Sequence, residues 1–206
     1  MSPSLAALRH EATGCRRCDL WKLGTQTVFG HGKTRGLMLV GEQPGDVEDR
    51  EGKPFVGPAG TLLRELLDEV GIDDDDVYLT NAVKHFKWRP KGTRRLHDKP
   101  SWTEVKACYH WLANELAAVD PAFVVCLGAT AAQTLLGKEA RVGKLRGQIL
   151  ALETTGTPVI VTIHPSAVLR AGEERELRRA ELATDLAFAR DEMRRLSPQT
   201  SKTAKS

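Results

Sequence analysis

Several polar residues in this sequence lie in short motifs whose side chains could do chemistry. Glu42 and Gln43 lie in a turn rich in Gly and Pro, Gly41–Asp46, where a carboxylate could accept a proton. Asn81 carries a donor and an acceptor side by side. His164 precedes a proline and could hydrogen-bond a developing negative charge. Each motif alone is also typical of an ordinary turn or strand end, so only their combination is informative.

An aromatic turn and a cysteine pair add two further candidates. Phe55 lies between Pro54 and Gly57, where its ring could stack on a base or pack against the following helix as a hydrophobic staple. Cys15 and Cys18 have the spacing Cys-x-x-Cys, which indicates a metal site or a redox pair in a reducing compartment. Four cysteines are too few for a disulfide scaffold in a chain of this length.

The strongest concentration of charge lies between residues 84 and 100. This segment holds seven Lys or Arg residues and one Asp, whereas the whole chain has a net charge of +3. Such local charge indicates contact with a polyanion. A long loop without its own structure is uncommon in a compact domain and is usually functional or disordered. For His97, within this segment, composition alone favours a mobile surface histidine.

Alternating strands and helices predict how these motifs are positioned. Helices are expected from Pro58 to Gly71, from Ser101 to about residue 118, from Gly128, and over residues 173–195. Four apolar runs predict buried strands; they are Leu37–Val40, Val77–Thr80, Phe123–Leu127 and Val159–Thr162. The pattern predicts a three-layer α/β/α sandwich with a central, mostly parallel four-stranded sheet.

A parallel sheet of this kind predicts where a ligand binds. Ligands occupy the crevice beyond the carboxyl ends of the strands. The loops that follow the four strands should therefore meet at one edge; they are Gly41–Asp49, Asn81–Pro100, the turn at Gly128, and His164–Arg170.

The chain's size and composition are those of one ordinary globular domain. It has 206 residues, of which 41% are hydrophobic and 28% charged, as in typical globular proteins. We expect one domain over residues 1–196 and a disordered polar tail over 197–206. No apolar run approaches the ~20 residues of a membrane span, and the N-terminus lacks a signal core. We therefore expect a cytoplasmic monomer without membrane contact.

Read in order along the chain, the motifs resemble those of the iron–sulfur uracil-DNA glycosylases. The resemblance covers residues ~15–170 and is carried by six motifs; they are Cys15-x-x-Cys18, Gly41–Asp46, Gly52–Gly57, Thr80-Asn81, Leu127-Gly128-Ala129 and His164-Pro-Ser166. Within that superfamily, Gln43 and the segment Lys91–His97 resemble the X-type subgroup. Its members carry a basic loop that ends in His and bond covalently to DNA after removing uracil.

The resemblance implies that the chain flips uracil out of DNA, with single-stranded DNA expected to be preferred. Glu42, His97 and His164 would be catalytic. His164 would stabilise the leaving base, while Glu42 would take a proton from His97 as His97 bonds to C1′ of the sugar. The expected uracil contacts are Gln43, Asp46, Phe55 and Asn81. The expected DNA contacts are Lys91, Arg94, Arg95, Ser166 and Arg170.

The resemblance also implies a 4Fe–4S cluster. Cys15, Cys18 and Cys108 would be ligands, together with His85, which stands where multi-turnover relatives carry a Cys. Histidine can ligate iron in such clusters. A set that uses Cys126 instead of His85 stays open, as does zinc.

Two other functions are compatible with these residues. The first is an ordinary multi-turnover iron–sulfur uracil-DNA glycosylase, in which the basic loop only grips DNA. The second is a non-catalytic, metal-containing DNA-binding module, which would release no uracil.

Overall fold

The computed structural model describes residues 4–196 and contains eight strands and eight α-helices within that range. The strands are β1 His31–Gly32, β2 Leu37–Gly41, β3 Val77–Asn81, β4 Trp88–Lys91, β5 Arg94–His97, β6 Phe123–Leu127, β7 Leu150–Ala151 and β8 Pro158–Thr162. The helices are α1 Leu5–Ala12, α2 Asp46–Glu51, α3 Pro58–Glu69, α4 Trp102–Val119, α5 Ala129–Leu136, α6 Val142–Leu145, α7 Pro165–Leu169 and α8 Arg175–Leu196. Three short 3-10 helices cover Asp19–Lys22, Asp74–Asp76 and Gly172–Glu174.

The central sheet has six strands in the order β1-β3-β2-β6-β8-β7. Strands β3, β2, β6 and β8 are parallel, which confirms the four predicted strands and the fold class. The antiparallel edge strands β1 and β7 were not predicted. Each has only two residues, too few for a pattern of alternating polarity to be visible.

Both faces of the sheet are covered, because successive residues of a buried parallel strand point to opposite sides. Leu37 and Leu39 of β2 belong to a core with apolar residues of α3 and α8. Met38 and Val40 belong to a second core with residues of α4 and α5. The three layers follow directly from this alternation.

The predicted helix boundaries are largely confirmed. Ser101 accepts a hydrogen bond from the backbone N–H of Glu104, while the Glu104 side chain accepts one from the N–H of Ser101, which completes the capping box of α4. Pro58 is the first residue of α3, and Gly71, just past its end, has φ 72°. These features set where α3 and α4 begin and end against the sheet.

The segment expected to be an unstructured loop is instead a β-hairpin. Strands β4 and β5 pair antiparallel, with Trp88 opposite His97 and Lys91 opposite Arg94. Gly92, in the turn, has φ 60°, a conformation that glycine adopts without strain. The expectation that this segment lacks regular structure was therefore wrong. The strands could not be recognised because Pro90 and the charged residues do not form the alternating apolar pattern that is typical of a strand.

Within residues 4–196, no helix has the length and apolar character needed to span a membrane. The expected disordered tail, residues 197–206, lies outside the described residues. The single domain over residues 1–196 stays a prediction.

Candidate active site

The carboxyl ends of the parallel strands open into a cavity of about 900 Å³. As predicted, the loops that follow β2, β3, β6 and β8 meet there. Residues from each contribute to its lining; among them are Glu42, Asn81, Thr130 and His164, joined by Phe55 and His97. The cavity therefore gathers the three residues expected to be catalytic and all four of those expected to contact uracil, since Gln43 and Asp46 also line it.

The floor of the cavity is formed by Phe55, Asn81 and His164. The rings of Phe55 and His164 are stacked, with centroids 6.2 Å apart. Gly41 makes this approach possible, since a Cβ at that position would lie 2.7 Å from Phe55 Cζ and would collide with Asn81 Oδ1. Phe55 itself has φ 56°, which is uncommon for a residue with a side chain. An aromatic ring and an amide thus lie side by side, as a planar polar base requires.

His164 is neutral, and it lines the cavity with its Nε2 close to Gly41. Burial lowers the pKa of His164 to about 4. The backbone N–H of Ser166 donates to Nδ1 at 3.1 Å, so Nδ1 is the acceptor and the proton of the neutral ring is on Nε2. The Ser166 hydroxyl is also 2.8 Å from Nδ1, and Ser166 lines the cavity, so its expected DNA contact stays a prediction.

Glu42 lies between His97 and helix α5. Its Oε1 is 3.3 Å from Nε2 of His97, and its Oε2 accepts a hydrogen bond from the Thr130 hydroxyl. Burial raises the pKa of Glu42, but the hydrogen bonds from His97 and Thr130 outweigh it and the net shift is downward. An ionised carboxylate is therefore held beside a histidine at the cavity.

Gln43 holds the two ends of the hairpin segment. Its Nε2 donates to the backbone oxygens of Lys87 and Asp98, both at 3.1 Å, and its Oε1 accepts the N–H of Lys87 at 3.1 Å. Although Gln43 lines the cavity, its amide is bonded to the main chain. These main-chain bonds were not predicted, because the partners lie 44 and 55 positions away in the sequence. The expected uracil contact by Gln43 stays a prediction.

Arg95 is bonded to two carboxylates and is not free for a phosphate. Its guanidinium pairs with Asp46 and with Asp49, the latter at 2.7 Å, and its side chain is only 16% exposed. It also lies over the rings of Phe86 and Trp88. The expected phosphate contact by Arg95 is thus replaced by an ion pair with Asp46, while the expected uracil contact by Asp46, which lines the cavity, stays a prediction. Asp49, which the sequence did not single out, completes this ion pair.

Comparison with known proteins identifies the family. Residues 29–187 match the sequence profile of the uracil DNA glycosylase superfamily. The chain belongs to this superfamily.

Relatives within the superfamily cover most of this glycosylase. A type-4 uracil-DNA glycosylase of Thermotoga maritima is 42% identical over 171 residues, covering 82% of this chain and 84% of the relative. One of Archaeoglobus fulgidus is 38% identical over 180 residues, covering 84% and 87%. A type-5 uracil-DNA glycosylase of Pyrobaculum aerophilum is 29% identical over 183 residues, covering 80% and 76%. These matches support uracil-DNA glycosylase activity and do not single out the X-type subgroup.

The hairpin of this glycosylase has two chemically different faces. The inner face, defined by Trp88, Arg95 and His97, contacts the body of the protein. The outer face, defined by Arg89, Lys91 and Arg94, is exposed. Within residues 4–196, these three side chains form no ion pair with a carboxylate. Register explains the division, since Trp88 faces His97 and Lys91 faces Arg94 across the ladder, and neighbouring residues alternate in direction.

Three of the four cysteines belong to one cluster of buried residues. Cys15 and Cys108 pack together there, with Cys18 against them. The indole N–H of Trp111 donates to Cys15 Sγ at 3.1 Å, and the backbone N–H of Lys84 donates to Cys108 Sγ at 3.2 Å. Burial raises the pKa of Cys108 to about 12, and the nearby Cys15 and Cys18 add to that rise.

Cys126 and His85 lie in different surroundings. Cys126 is fully buried in the sheet core, apart from the other three cysteines. His85 is buried near Gly24 and Asp49, and burial lowers its pKa. Among residues 4–196, no group of three or more His, Cys, Asp or Glu side chains is arranged to hold a metal ion.

Proposed function

We propose that this glycosylase excises uracil from DNA and that His97 then bonds to C1′ of the sugar. The observation that carries the proposal is the 3.3 Å contact between His97 Nε2 and Glu42 Oε1 at the cavity. A general base within reach of a nucleophile is the arrangement that covalent catalysis requires. In this arrangement, Nε2 of His97 faces the carboxylate of Glu42, and Nδ1 remains available to bond to C1′ of the sugar.

Uracil binding is assigned to the floor of the cavity. The flipped base stacks on Phe55, and the Asn81 amide reads its O4 and N3–H edge. As the bond between C1′ and N1 stretches, the base gains negative charge and the sugar becomes cation-like. The Nε2–H of His164 then donates to the base, and since this imidazole is neutral, it stabilises the anion without transferring its proton.

Capture of the sugar follows as the base leaves. The electron pair of the breaking C1′–N1 bond stays with uracil, and a lone pair of the His97 imidazole forms the new bond to C1′. The proton on the nitrogen facing Glu42 passes to the carboxylate. The product is a neutral alkylimidazole, which is a poor leaving group until it is reprotonated. The adduct should therefore persist.

DNA contact is assigned to the outer face of the hairpin and to the cavity rim. Lys91 and Arg94, together with Arg89, are exposed and have no carboxylate partner within the described part of the chain. Their positive charges are therefore free to bind phosphates. Arg170 lines the cavity and is assigned to a flanking phosphate. Arg95 is instead assigned to docking the hairpin. Single-stranded DNA stays the expected substrate and a monomer the expected state.

A 4Fe–4S cluster is proposed near the N-terminus, with Cys15, Cys18, Cys108 and His85 as its ligands. The three gathered thiols and the N–H donors on two of them fit such a group, because hydrogen bonds to sulfur are common around these clusters. A single metal ion needs all its ligands around one point, and these side chains are not arranged in that way. A four-iron cluster would take each ligand on a different iron and so would suit side chains that lie further apart. When bound, the group would tie α4 to the N-terminal segment.

The ligand set can be tested with two matched variants. Cys108→Ala should lose the brown colour and the bound iron, because it removes a ligand. Cys126→Ala should retain both, since Cys126 lies in the separate sheet core. Iron content and visible absorbance are the measurements. Loss of iron from Cys126→Ala, with retention in Cys108→Ala, would reverse the assignment.

The second candidate is hydrolysis with repeated turnover, and the comparisons favour it, because two of the three relatives named above, those at 38% and 42% identity, are type-4 uracil-DNA glycosylases. In that reaction, water captures C1′ and Glu42 acts on the water. The count of uracil released per protein separates the two. Covalent capture predicts about one uracil per protein molecule with excess single-stranded substrate. Continued linear release would establish turnover, and no release at all would leave only a DNA-binding module.

A further inference from the structure

Thr130 lies where helix α5 meets the cavity. It is the second residue of the helix and is 3% exposed. The preceding Gly128 has φ 89°, and a Cβ there would lie 3.1 Å from the Cβ of His164. The start of α5 is therefore packed directly against the end of β8, so the position of the Thr130 hydroxyl is fixed relative to the catalytic residues.

The hydrogen bond from Thr130 distinguishes the two oxygens of Glu42. An ionised carboxylate can only accept hydrogen bonds, so the Thr130 hydroxyl donates to Oε2. Oε1 faces Nε2 of His97 at 3.3 Å. Thr130 and Glu42 are 88 positions apart in the sequence. Their hydrogen bond joins the turn after β2 to the helix after β6.

We propose that Thr130 is a positioning residue that anchors Oε2 of Glu42 and so makes Oε1 the oxygen that receives the proton. This inference rests on the proposed function, but only for the identity of the group that gives its proton to Glu42. In covalent capture, Oε1 takes the proton of His97, and in hydrolysis it takes that of the attacking water. Thr130 contacts neither DNA nor base in this role and acts through Glu42.

The same bond also helps to keep Glu42 ionised. Burial raises the pKa of Glu42, and the hydrogen bonds from His97 and Thr130 bring it below its ordinary value. The nearby His164 stays neutral, because burial lowers its pKa to about 4 and Arg170 also lowers it. Removing the Thr130 hydroxyl deletes one donor to the charged form, so the pKa of Glu42 rises. As the solution is acidified, a variant without this hydroxyl should therefore lose the activity that needs ionised Glu42 at a higher pH than the parent chain does.

Thr130→Val and Thr130→Ser form the central pair of variants. Valine keeps the shape and removes the hydroxyl, while serine keeps the hydroxyl. The measurement is the single-turnover rate of uracil release against pH, which does not depend on whether an adduct forms. Thr130→Val should slow release about 10-fold near neutral pH. It should also shift the acidic limb of the profile, where the rate falls as Glu42 becomes protonated, to higher pH. Thr130→Ser should retain most of the rate and the original limb. Thr184→Val, which removes a helix threonine hydroxyl bonded to Ala180, should match the parent chain.

A second background separates positioning from general stability. In a Glu42→Ala chain, adding Thr130→Val should cause no further loss of rate, because the residue that Thr130 positions is absent. An unchanged acidic limb in Thr130→Val would overturn the proposal, as would equal loss in the serine and valine variants or additive loss in the Glu42→Ala background. Failure of covalent capture alone would appear as turnover with these pH effects intact.

Discussion

Arg94 and Arg95 are neighbours in the sequence and belong to opposite faces of the same hairpin. Arg94 is exposed on the outer face with Arg89 and Lys91, whereas Arg95 is enclosed by two carboxylates on the inner face. Positive charge counted along the chain is therefore not the charge that DNA can reach. Strand alternation and distant acidic partners divide it into a part that holds the hairpin and a part that remains for phosphates.

The inner face should matter more for the reaction, because it sets the position of His97. Asp49 has a fully buried side chain, and it also accepts hydrogen bonds from the main chain and hydroxyl of Thr25. Arg95 thus connects β5 to α2 and to the segment before β1. Removing a partner from a buried ion pair is costly, since it leaves an uncompensated charge.

Arg95→Ala should give the largest effect. With the hairpin no longer anchored to Asp46 and Asp49, His97 moves from the cavity, and an ångström of displacement can slow a reaction about 100-fold. The single-turnover rate of adduct formation is the measurement. Arg95→Lys is the matched control and should recover only part of the rate, because lysine lacks the fork that spans two carboxylates. Adduct formation at the parent rate by Arg95→Ala would show that this ion pair does not position His97.

Gln43→Ala should give an intermediate effect on the same rate. It removes three hydrogen bonds to Lys87 and Asp98, each worth about 1 kcal/mol, of which only part is felt at His97. We expect adduct formation to slow about 10-fold while uracil release is less affected. Gln148→Ala, which removes an exposed glutamine bonded within its own turn, is the control. A variant that binds uracil poorly but captures C1′ normally would instead favour a direct contact between Gln43 and the base.

Arg94→Ala and Arg89→Ala should give the smallest effects and change binding rather than chemistry. Each should weaken the affinity for DNA without uracil about 3-fold to 10-fold and reduce the slope of log K against log salt by about 1. Fluorescence anisotropy across a salt series measures both. Arg195→Ala, at an exposed arginine of α8, should leave the slope unchanged. Equal slopes in all variants would remove the outer face from the DNA contact.

The sheet and the place of the cavity could be predicted from sequence because they depend on local patterns. Leu37–Gly41 and Phe123–Leu127 are continuous apolar runs, and parallel strands bring the loops after them to one edge. The capping box at Ser101 marks the start of α4 in the same local way. These signals need no knowledge of distant residues.

The hairpin and the partners of the site residues could not be predicted in the same way. β5 is stabilised by contacts of Arg95 with α2 across 46 or more positions, which no local pattern records. The roles of Gln43 and Thr130 likewise depend on bonds to distant parts of the chain. The sequence predicted that Gln43 lies at the site but did not single out Thr130, and only the fold shows which partner each side chain takes.

The most direct test of the covalent account is mass spectrometry of the protein after reaction with single-stranded DNA containing one uracil. Nuclease and protease digestion of the denatured product should leave a deoxyribose remnant on the peptide that contains His97. His97→Ala should carry no remnant while still folding and binding DNA. An unmodified His97 peptide after complete uracil release, or a remnant on another residue, would contradict the account.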